Sequence, residues 1–321
     1  MNRGDRVFVA GHRGLVGSAV VRRLRAEGYQ DIVVRTRDEL DLRNQQAVDR
    51  FFATERPAFV VLAAARVGGI LANDAYRADF IRDNLLIQAN VIDSAYRNGA
   101  RKLLFLGSSC IYPKLSPQPI REEYLLTGPL EATNQPYAIA KIAGLEMIDA
   151  YRRQYGFNGI SLMPTNLYGP YDNFDLQTSH VLPALVRRMH EAKTAGSREV
   201  VLWGTGTPRR EFLHVDDLAA ACLFVLDEYD GAQMLNVGVG EDLTIRELAE
   251  LVRDVVGYDG TVAFDPSKPD GTPRKLLDIS KIAALGWSAR VALRSGIEET
   301  YRWFLRSIGD TEAAAGRSRA G

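Results

Sequence analysis

Short apolar segments alternate with segments of helical periodicity through the first half of this chain, and few folds accommodate that alternation. The apolar segments are continuous rather than interleaved with polar residues, which is typical of strands covered on both faces of a sheet. They span residues 6–10, 31–35, 59–65, 102–106 and 159–163, with helical segments at 15–27, 47–54, 73–98 and 136–155 between them. Strand–helix–strand units of this kind build a parallel sheet through right-handed crossovers. The sequence therefore predicts an α/β fold with a doubly wound parallel sheet.

The pattern changes after residue 166, where turn-forming residues cluster and the strand–helix alternation weakens. We expect a first domain over residues 1–166 and a smaller substrate-binding lobe mainly over residues 167–310. Residues 212–226 and 233–238 are candidates for a return to the first sheet. The last segment, residues 311–321, is rich in Ala, Gly, Ser and Arg, and we expect a flexible tail there.

Charge and hydropathy exclude several classes of protein. Lys and Arg together number 40, as do Asp and Glu, so the formal net charge is zero and a nucleic-acid binder held by a basic surface is not expected. Two cysteines, Cys110 and Cys222, are too few for a disulfide-stabilised secreted scaffold. No apolar stretch approaches the ~18 residues of a membrane span, and the run at residues 7–10 is too short for a secretory signal. We therefore expect a cytoplasmic protein with no membrane partner.

Three glycines follow the first predicted strand and open the first predicted helix. The segment reads Gly11-His12-Arg13-Gly14-Leu15-Val16-Gly17, with glycines at positions i, i+3 and i+6. Glycine permits a tight turn and lets backbone N–H groups approach a pyrophosphate, while the helix N-terminus faces the phosphates. In this context the motif predicts a Rossmann-type dinucleotide-binding domain; a purely structural turn is the alternative.

The residues that end the second strand favour NADP(H) over NAD(H). An acid at this point accepts hydrogen bonds from a ribose 2′-OH, whereas positive groups bind a 2′-phosphate. Here the strand leads into Arg37, and Arg13 lies in the glycine turn, while Asp38 and Glu39 come too late to serve as the acid. Two guanidinium groups suit a dianionic phosphate. The alternative is that both arginines are solvated loop charges.

A tyrosine and a lysine lie four residues apart near the start of the helix at 136–155. Tyr137 and Lys141 therefore share a helix face, and we expect the cation to lower the pKa of the phenol and make it a usable proton donor. Ser108 directly follows the fourth strand, at the sheet edge where α/β proteins bind ligands, so it can hydrogen-bond a substrate carbonyl. The Tyr/Lys spacing alone is common on surface helices, so its value depends on this context.

A glycine turn, a serine after a strand and a Tyr-x-x-x-Lys, in that order, resemble the extended short-chain dehydrogenases/reductases. Longer segments narrow the resemblance to the GDP-L-fucose synthase family. They are GHRGLVGSA, RTRDELDL, AAARVGGI, GSSCIYPK, NQPYAIAK, PTNLYGPYDNF, SHVLPALVRR, GTGTPRREFLHVDD and SKPDGTPRKLLD. The resemblance implies an NADPH-dependent enzyme that epimerises GDP-4-keto-6-deoxy-D-mannose at C3 and C5 and then reduces C4, giving GDP-L-fucose.

The resemblance also implies roles for individual residues. Cys110 removes protons and His180 returns them on the opposite face, after which Tyr137 protonates the C4 oxygen and Lys141 assists. A ketone at C4 acidifies both C3–H and C5–H, because either carbanion delocalises onto the C4 oxygen, so one base and one acid can serve both centres. Without the family, a free cysteine is more often an inert core residue and a lone histidine more often structural.

The remaining site residues come from the same resemblance. Those implied for the cofactor are Gly11, His12, Arg13, Gly14, Leu15, Val16, Gly17, Arg37, Asp41, Lys141, Pro164, Thr165, Asn166, Leu167 and His180. Those implied for the GDP-sugar are Arg188, Trp203, Arg210 and Asp270, the arginines being suited to a diphosphate. No metal is expected. A homodimer is expected through the helices at 73–98 and 136–155.

Two other functions remain open at this point. One is a nucleotide-sugar 4-epimerase that retains NAD, and Arg13, Arg37 and Cys110 argue against it because such an enzyme needs neither a 2′-phosphate pocket nor a separate base. The other is a non-catalytic NADP-sensing regulator on the same scaffold. The complete set of catalytic residue types argues against that alternative.

Overall fold

The computed structural model describes residues 1–268 and 270–319. Its strands are β1 Val7–Ala10, β2 Ile32–Val33, β3 Phe59–Leu62, β4 Lys102–Leu106, β5 Gly159–Pro164, β6 Asn166–Tyr168, β7 Glu199–Trp203, β8 Arg209–Arg210, β9 Phe212–His214, β10 Leu235–Val237, β11 Leu243–Thr244, β12 Thr261–Asp265 and β13 Arg274–Lys275. Its helices are α1 Leu15–Ala26, α2 Gln45–Glu55, α3 Ile70–Ala75, α4 Arg77–Arg97, α5 Gln135–Tyr155, α6 Val181–Thr194, α7 Val215–Glu228, α8 Ile245–Val256, α9 Ser280–Ala284 and α10 Leu293–Arg319. Single 3₁₀ turns span Ser109–Ile111 and Glu122–Tyr124.

The central sheet has six parallel strands in the order β10-β5-β4-β3-β1-β2. The chain enters the sheet at β1, next to one edge, extends to that edge at β2, and then crosses back to β3 and onward towards the other edge. The predicted doubly wound fold is therefore confirmed. Its order reverses between β1 and β3, and ligands of such sheets bind beyond the carboxyl ends of the strands at that point.

The two faces of strand β3 show why the central strands are continuously apolar. On β3, Phe59 and Val61 pack into one hydrophobic cluster, which also contains residues of α1 and α7. Val60 and Leu62 pack into a second cluster, with residues of α2, α4 and α5. Helices thus cover both faces of the sheet, so both sets of side chains are excluded from water.

A third hydrophobic cluster draws on α6, α8 and α10 and on the short strands outside the central sheet. Those strands pair as β11-β8-β13, β12-β7 and β6-β9. Two segments were expected to return to the first sheet. One of them, residues 233–238, contains β10, which pairs with β5 in the central sheet. Within residues 212–226, β9 pairs with β6 instead, and α7 packs against α1. The boundary at residue 166 stays a prediction.

Two segments differ from the sequence-based expectation. The single helix predicted for residues 73–98 is wrong: α3 ends at Ala75 and α4 begins at Arg77, because Tyr76 leaves the helical region with φ −115° and ψ 38°. The backbone is helical to Arg319, across most of the predicted tail, and residues 320–321 lie outside the described residues. Flexibility of the tail stays a prediction. Within the described ranges, no helix combines the length and apolar character needed to cross a membrane.

Candidate active site

The turn between β1 and α1 requires glycine at two of its three glycine positions. Gly11 has φ +89°, and a Cβ there would lie 2.8 Å from the Ala64 backbone nitrogen. A Cβ on Gly17 would lie 2.2 Å from the Gly11 carbonyl oxygen. At Gly14 an added Cβ would only reach ordinary contact, 3.5 Å from the same oxygen. Contacts within the protein therefore require glycine at positions 11 and 17 but not at Gly14. Gly14 stands at the N-terminus of α1, where the first backbone N–H groups have no acceptor within the helix.

Two arginines beside this turn carry unpaired charge. Arg13 and Arg37 are exposed, and among the described residues neither forms an ion pair or hydrogen bond. Arg35 differs, because it binds Glu55 at 2.5 Å and lies over the Phe51 ring. The free guanidinium groups are thus the two that the sequence singled out, and Arg35 has a structural role.

Asp41 lies in an ion pair with a neighbouring arginine. Arg43 Nη2 is 2.7 Å from Asp41 Oδ2, and hydrogen bonds from this guanidinium lower the pKa of Asp41 to about 2. Arg43 also reaches Asp83 on α4 at 3.3 Å. The protein therefore engages the carboxylate of Asp41, and the Asp41 carbonyl accepts from the Asn44 N–H at 2.9 Å. The role of Asp41 towards a cofactor stays a prediction.

The carboxyl end of β4 presents a serine and a cysteine on one tight turn. Ser108 caps the 3₁₀ turn, and its Oγ accepts from the Cys110 backbone N–H at 3.2 Å. A Cβ on Gly107 would lie 2.3 Å from Met163 Sδ, so a larger residue there would require the Met163 side chain to shift. Cys110 is half-buried, whereas Cys222 is fully buried within α7. The turn thus offers one accessible thiol next to a serine hydroxyl.

Tyr137 and Lys141 face this turn from the first part of α5. Lys141 is 4% exposed, its Nζ donates to the Leu106 carbonyl at 2.8 Å, and it lies 5.9 Å from the Tyr137 ring centroid. Burial lowers the pKa of Lys141 to about 8. Burial also raises the pKa of Tyr137, a hydrogen bond with Ser108 opposing it in part. The expectation of a lowered tyrosine pKa is therefore wrong, because desolvation of the phenol and the charge of Cys110 both raise the pKa of Tyr137.

A lysine from a distant strand lies between the thiol and the histidine. Lys275 Nζ is 3.5 Å from Cys110 Sγ. Desolvation and the charge of Lys275 together lower the pKa of His180, which stands at the N-terminus of α6. The His180 side chain is nevertheless exposed. Cys110, Lys275 and His180 therefore lie near one another, and we refer to the region that they share as the cleft.

Among the predicted substrate residues, Arg210 and Asp270 are joined to this cleft. Burial lowers the pKa of Arg210, with the charges of Asp270 and Cys110 opposing that shift. Asp270 accepts from Thr205 through both oxygens, at 2.9 and 2.7 Å. Trp203 is 55% exposed at the end of β7. Arg188 on α6 is half-buried, and no hydrogen bond or ion pair engages it in the described part of the chain.

The segment after β5 lies against the strand that carries Arg210. Thr165 and Asn166 both donate to the Glu211 carbonyl, Thr165 through Oγ1 at 3.3 Å and Asn166 through Nδ2 at 2.8 Å. Pro164 ends β5 and Leu167 lies in β6. These four residues continue a sheet edge that borders the cleft.

One cluster has the residue types of a metal site, but its hydrogen bonds oppose that role. His214, Asp216 and Glu299 have potential ligand atoms within 4.8 Å of one another. His214 Nδ1 accepts from the Asp216 backbone N–H, so its buried Nε2 carries the proton and has no free lone pair. Asp216 is paired with Arg22 at 2.6 Å. The cluster is therefore built as a helix cap and an ion pair.

Comparison with known proteins places this arrangement in a family. A model of the NAD dependent epimerase/dehydratase family matches residues 7–238. GDP-L-fucose synthase 1 of Arabidopsis thaliana is 61% identical over 307 residues, covering 96% of this chain and 95% of that protein. GDP-L-fucose synthase of Escherichia coli (strain K12) is 56% identical over 312 residues, covering 94% and 97%. The chain belongs to the NAD dependent epimerase/dehydratase family, in its GDP-L-fucose synthase branch.

Solved structures of the epimerase/dehydratase family share the same architecture. A GDP-mannoheptose C4 reductase from Campylobacter jejuni with NADP bound has a TM-score of 0.88 and 40% identity, covering 95% of this chain and 99% of that one. The predictions of the family and of an enzyme are confirmed by these comparisons. The roles of individual residues stay predictions.

Sequence reasoning on this member of the epimerase/dehydratase family missed Lys275. It lies in the segment SKPDGTPRKLLD, which supported the resemblance, but 165 positions separate it from Cys110. No local spacing could pair the two residues. The register of β13 beside β8 sets Lys275 opposite Arg210, and contacts of the next residue, Leu276, with Gln118 and Ile120 hold the same segment.

Proposed function

We propose that this chain converts GDP-4-keto-6-deoxy-D-mannose into GDP-L-fucose, by epimerisation at C3 and C5 and NADPH-dependent reduction at C4. The observation that carries the proposal is the meeting of two sets of groups in one cleft. Ser108, Tyr137 and Lys141 have the types needed for carbonyl reduction. Cys110 and His180, with Lys275 between them, have the types needed for proton removal and return. The high identity to GDP-L-fucose synthases supports the choice of substrate.

The glycine turn and its two free arginines fit NADP(H). Gly14 leaves the N-terminus of α1 open to an anionic group, and the protein gives no other reason for a glycine there. Arg13 and Arg37 supply unpaired positive charge for a 2′-phosphate. Residues Pro164, Thr165, Asn166 and Leu167 would border the nicotinamide. When bound, NADPH supplies the hydride for C4.

Epimerisation requires a base on one face of the sugar and an acid on the other. The Cys110 thiolate would take the proton from C3 or C5, leaving the electron pair delocalised onto the C4 oxygen. His180 would return a proton to the same carbon from the opposite face, inverting it. Lys275 would place its ammonium group 3.5 Å from the sulfur during this step. Each inversion leaves the sugar with the same atoms and redox state, so no further reactant is needed.

Reduction requires a proton donor at the C4 oxygen. Tyr137 would donate its phenolic proton to the alkoxide, and Ser108 would hydrogen-bond the carbonyl. The raised pKa of Tyr137 keeps the phenol protonated, as a proton donor needs to be. Lys141 would place a positive charge near the phenol, where negative charge develops as the phenol gives up its proton.

The GDP part of the substrate would bind along the rest of the cleft. Arg210 and Arg188 suit the diphosphate, and Trp203 presents an exposed aromatic face. Asp270, fixed by Thr205, would accept from a ribose or sugar hydroxyl. We also propose a homodimer through α4 and α5, which light scattering on the purified protein would test, and a cytoplasmic location.

The proposed function is tested by mixing the purified chain with NADPH and the keto-sugar in D₂O. We expect NADPH absorbance to fall in step with sugar consumption, and NMR to identify GDP-L-fucose labelled at C3 and C5. Epimerised sugar without loss of NADPH would favour a 4-epimerase. Binding of NADPH with no turnover would favour a sensor.

Replacing Arg13 and Arg37 by Ala should shift cofactor preference towards NADH. We expect the KM for NADPH to rise at least about tenfold, because hydrogen bonds to a charged phosphate are lost, while the KM for NADH changes little. The measurement is the ratio of kcat/KM values for the two cofactors. Arg35→Ala is the matched control, since Arg35 already pairs with Glu55. An unchanged ratio in the double variant would show that the two arginines do not select the cofactor.

The rate of reduction should fall as the pH rises through about 8, because Lys141 loses its proton there. Its folded pKa is depressed, so the cation is present below that pH and absent above it. The raised pKa of Tyr137 keeps the phenol protonated over this range. Lys141→Arg should abolish this fall in rate at high pH, since a guanidinium stays charged. A wild-type profile that is flat from neutral pH to the ordinary lysine pKa of about 10.4 would contradict the role.

A further inference from the structure

Glu211 is a fully buried carboxylate that binds three backbone N–H groups and the side chain of Thr165. It is 0% exposed, and within the described ranges no cation pairs with it. Its Oε1 accepts from the N–H groups of Val239 and Gly240 at 2.7 and 2.8 Å, and its Oε2 accepts from Leu277 at 3.1 Å. A Cβ on Gly238 would lie 2.1 Å from Oε1, so the neighbouring segment leaves room for this carboxylate alone. Burying an acid is costly, and these three bonds offset part of that cost.

The segments held by Glu211 all lead to the cleft. Leu277 comes two residues after Lys275, the residue that contacts Cys110. Glu211 itself follows Arg210, which stands opposite Lys275 in the β8–β13 pairing. Its carbonyl accepts from Asn166 on the cofactor side. The strand bearing Lys275 is thus fixed on two sides, by strand pairing before it and by the carboxylate after it.

We propose that Glu211 is a positioning residue that holds Lys275 beside Cys110, and so acts on the epimerisation half of the reaction. This inference rests on the proposed function. The β8–β13 pairing involves two residues of each strand, too few to fix the position of a long side chain. Leu276 is held through its N–H by Gln118 Oε1 at 2.9 Å and through its carbonyl by the Ile120 N–H at 2.7 Å. The bond from the Leu277 N–H to Glu211 adds a buried carboxylate to these contacts. Glu211 touches neither thiol nor substrate, so its effect passes through Lys275.

The inference is tested by the rate at which iodoacetamide alkylates Cys110 in the free enzyme. Cys222 is fully buried, so the reaction reports Cys110. In Glu211→Gln the side-chain N–H₂ group faces one of the backbone N–H groups that the carboxylate bound. Two donors cannot hydrogen-bond each other, so that contact is lost while the side chain keeps its size. We expect alkylation to slow by up to about 100-fold, the cost that a displacement of about 1 Å can reach. Lys275→Gln should slow it equally, and the double variant should be no slower than either.

The matched control is Asp217→Asn. Asp217 is a buried acid that accepts from the backbone N–H groups of Arg290 and Val291, away from the cleft. We expect wild-type alkylation in this variant. Equal slowing in the control would overturn the inference, as would wild-type rates in Glu211→Gln or in Lys275→Gln. If Glu211→Gln does not fold, Gly238→Ala presses on the same carboxylate and should show the same slowing; a wild-type rate there overturns the inference.

Turnover gives a second readout that separates the two proposals. With NADPH and keto-sugar in D₂O, Glu211→Gln should lose deuterium uptake at C3 and C5 by a larger factor than hydride transfer to C4. Equal loss of both would indicate a general structural role and overturn the inference. If the wild type itself oxidises no NADPH, the proposed function fails, while the alkylation results still decide whether Glu211 acts through Lys275.

Discussion

Tyr137→Phe should bind NADPH as the wild type does and lose nearly all reduction of the keto-sugar. The ring still packs against Phe80, but the proton donor is gone. Loss of a general acid costs about 10²–10⁴ in rate. Single-turnover NADPH oxidation, with cofactor affinity measured separately by fluorescence, gives the two quantities.

Tyr151→Phe is the matched control for this variant. It lies on the same helix, and its hydroxyl donates to Asp93 at 2.9 Å, remote from the cleft. We expect wild-type turnover from it. Near-normal reduction by Tyr137→Phe would remove the phenol from the mechanism.

Cys110→Ser should block epimerisation while sparing the hydride transfer. A hydroxyl has almost the shape of a thiol, but it holds its proton far more tightly than a thiol of pKa about 8.5. Ser108, Tyr137 and Lys141 would remain beneath an intact C4 ketone. The variant should then slowly release a GDP-6-deoxyhexose that is not GDP-L-fucose.

The measurement for Cys110→Ser is solvent deuterium at C3 and C5, with the product identified by NMR. The wild type should label both carbons and the variant neither. Cys222→Ala is the control, because the second cysteine lies in the core of α7 and should leave labelling unchanged. Labelling of both carbons by Cys110→Ser would leave His180, or another group, as the base.

The fold could be predicted from the sequence because its signals are local. Helices cover both faces of the central sheet, so apolar residues run without interruption along its strands, as in Leu103–Leu106. The bounds of that strand, Lys102–Leu106, were predicted to the residue. The break at Tyr76 could not be predicted, because nothing in its neighbours interrupts the helical pattern. A tertiary contact accompanies it, the Arg66 guanidinium lying 5.8 Å from its ring centroid.

The candidate site could be predicted only in part. Tyr137 and Lys141 are one helical turn apart, so the sequence fixes that they share a face. The direction in which the pKa of Tyr137 shifts depends on how deeply the phenol is buried, and residue spacing does not reveal that. Lys275 and Glu211 act through strand pairings between segments far apart in the chain, and such partners become visible only once the register is known.

The two halves of the site have different supports. Ser108, Tyr137 and Lys141 stand on β4 and α5, which belong to one hydrophobic core. Lys275, Arg210 and His180 come from β13, β8 and α6, outside the central sheet. On the proposed mechanism, loosening of Lys275 leaves hydride delivery intact while inversion slows. Premature reduction then competes with inversion, so the purity of the released stereoisomer depends on how firmly these outer strands are held.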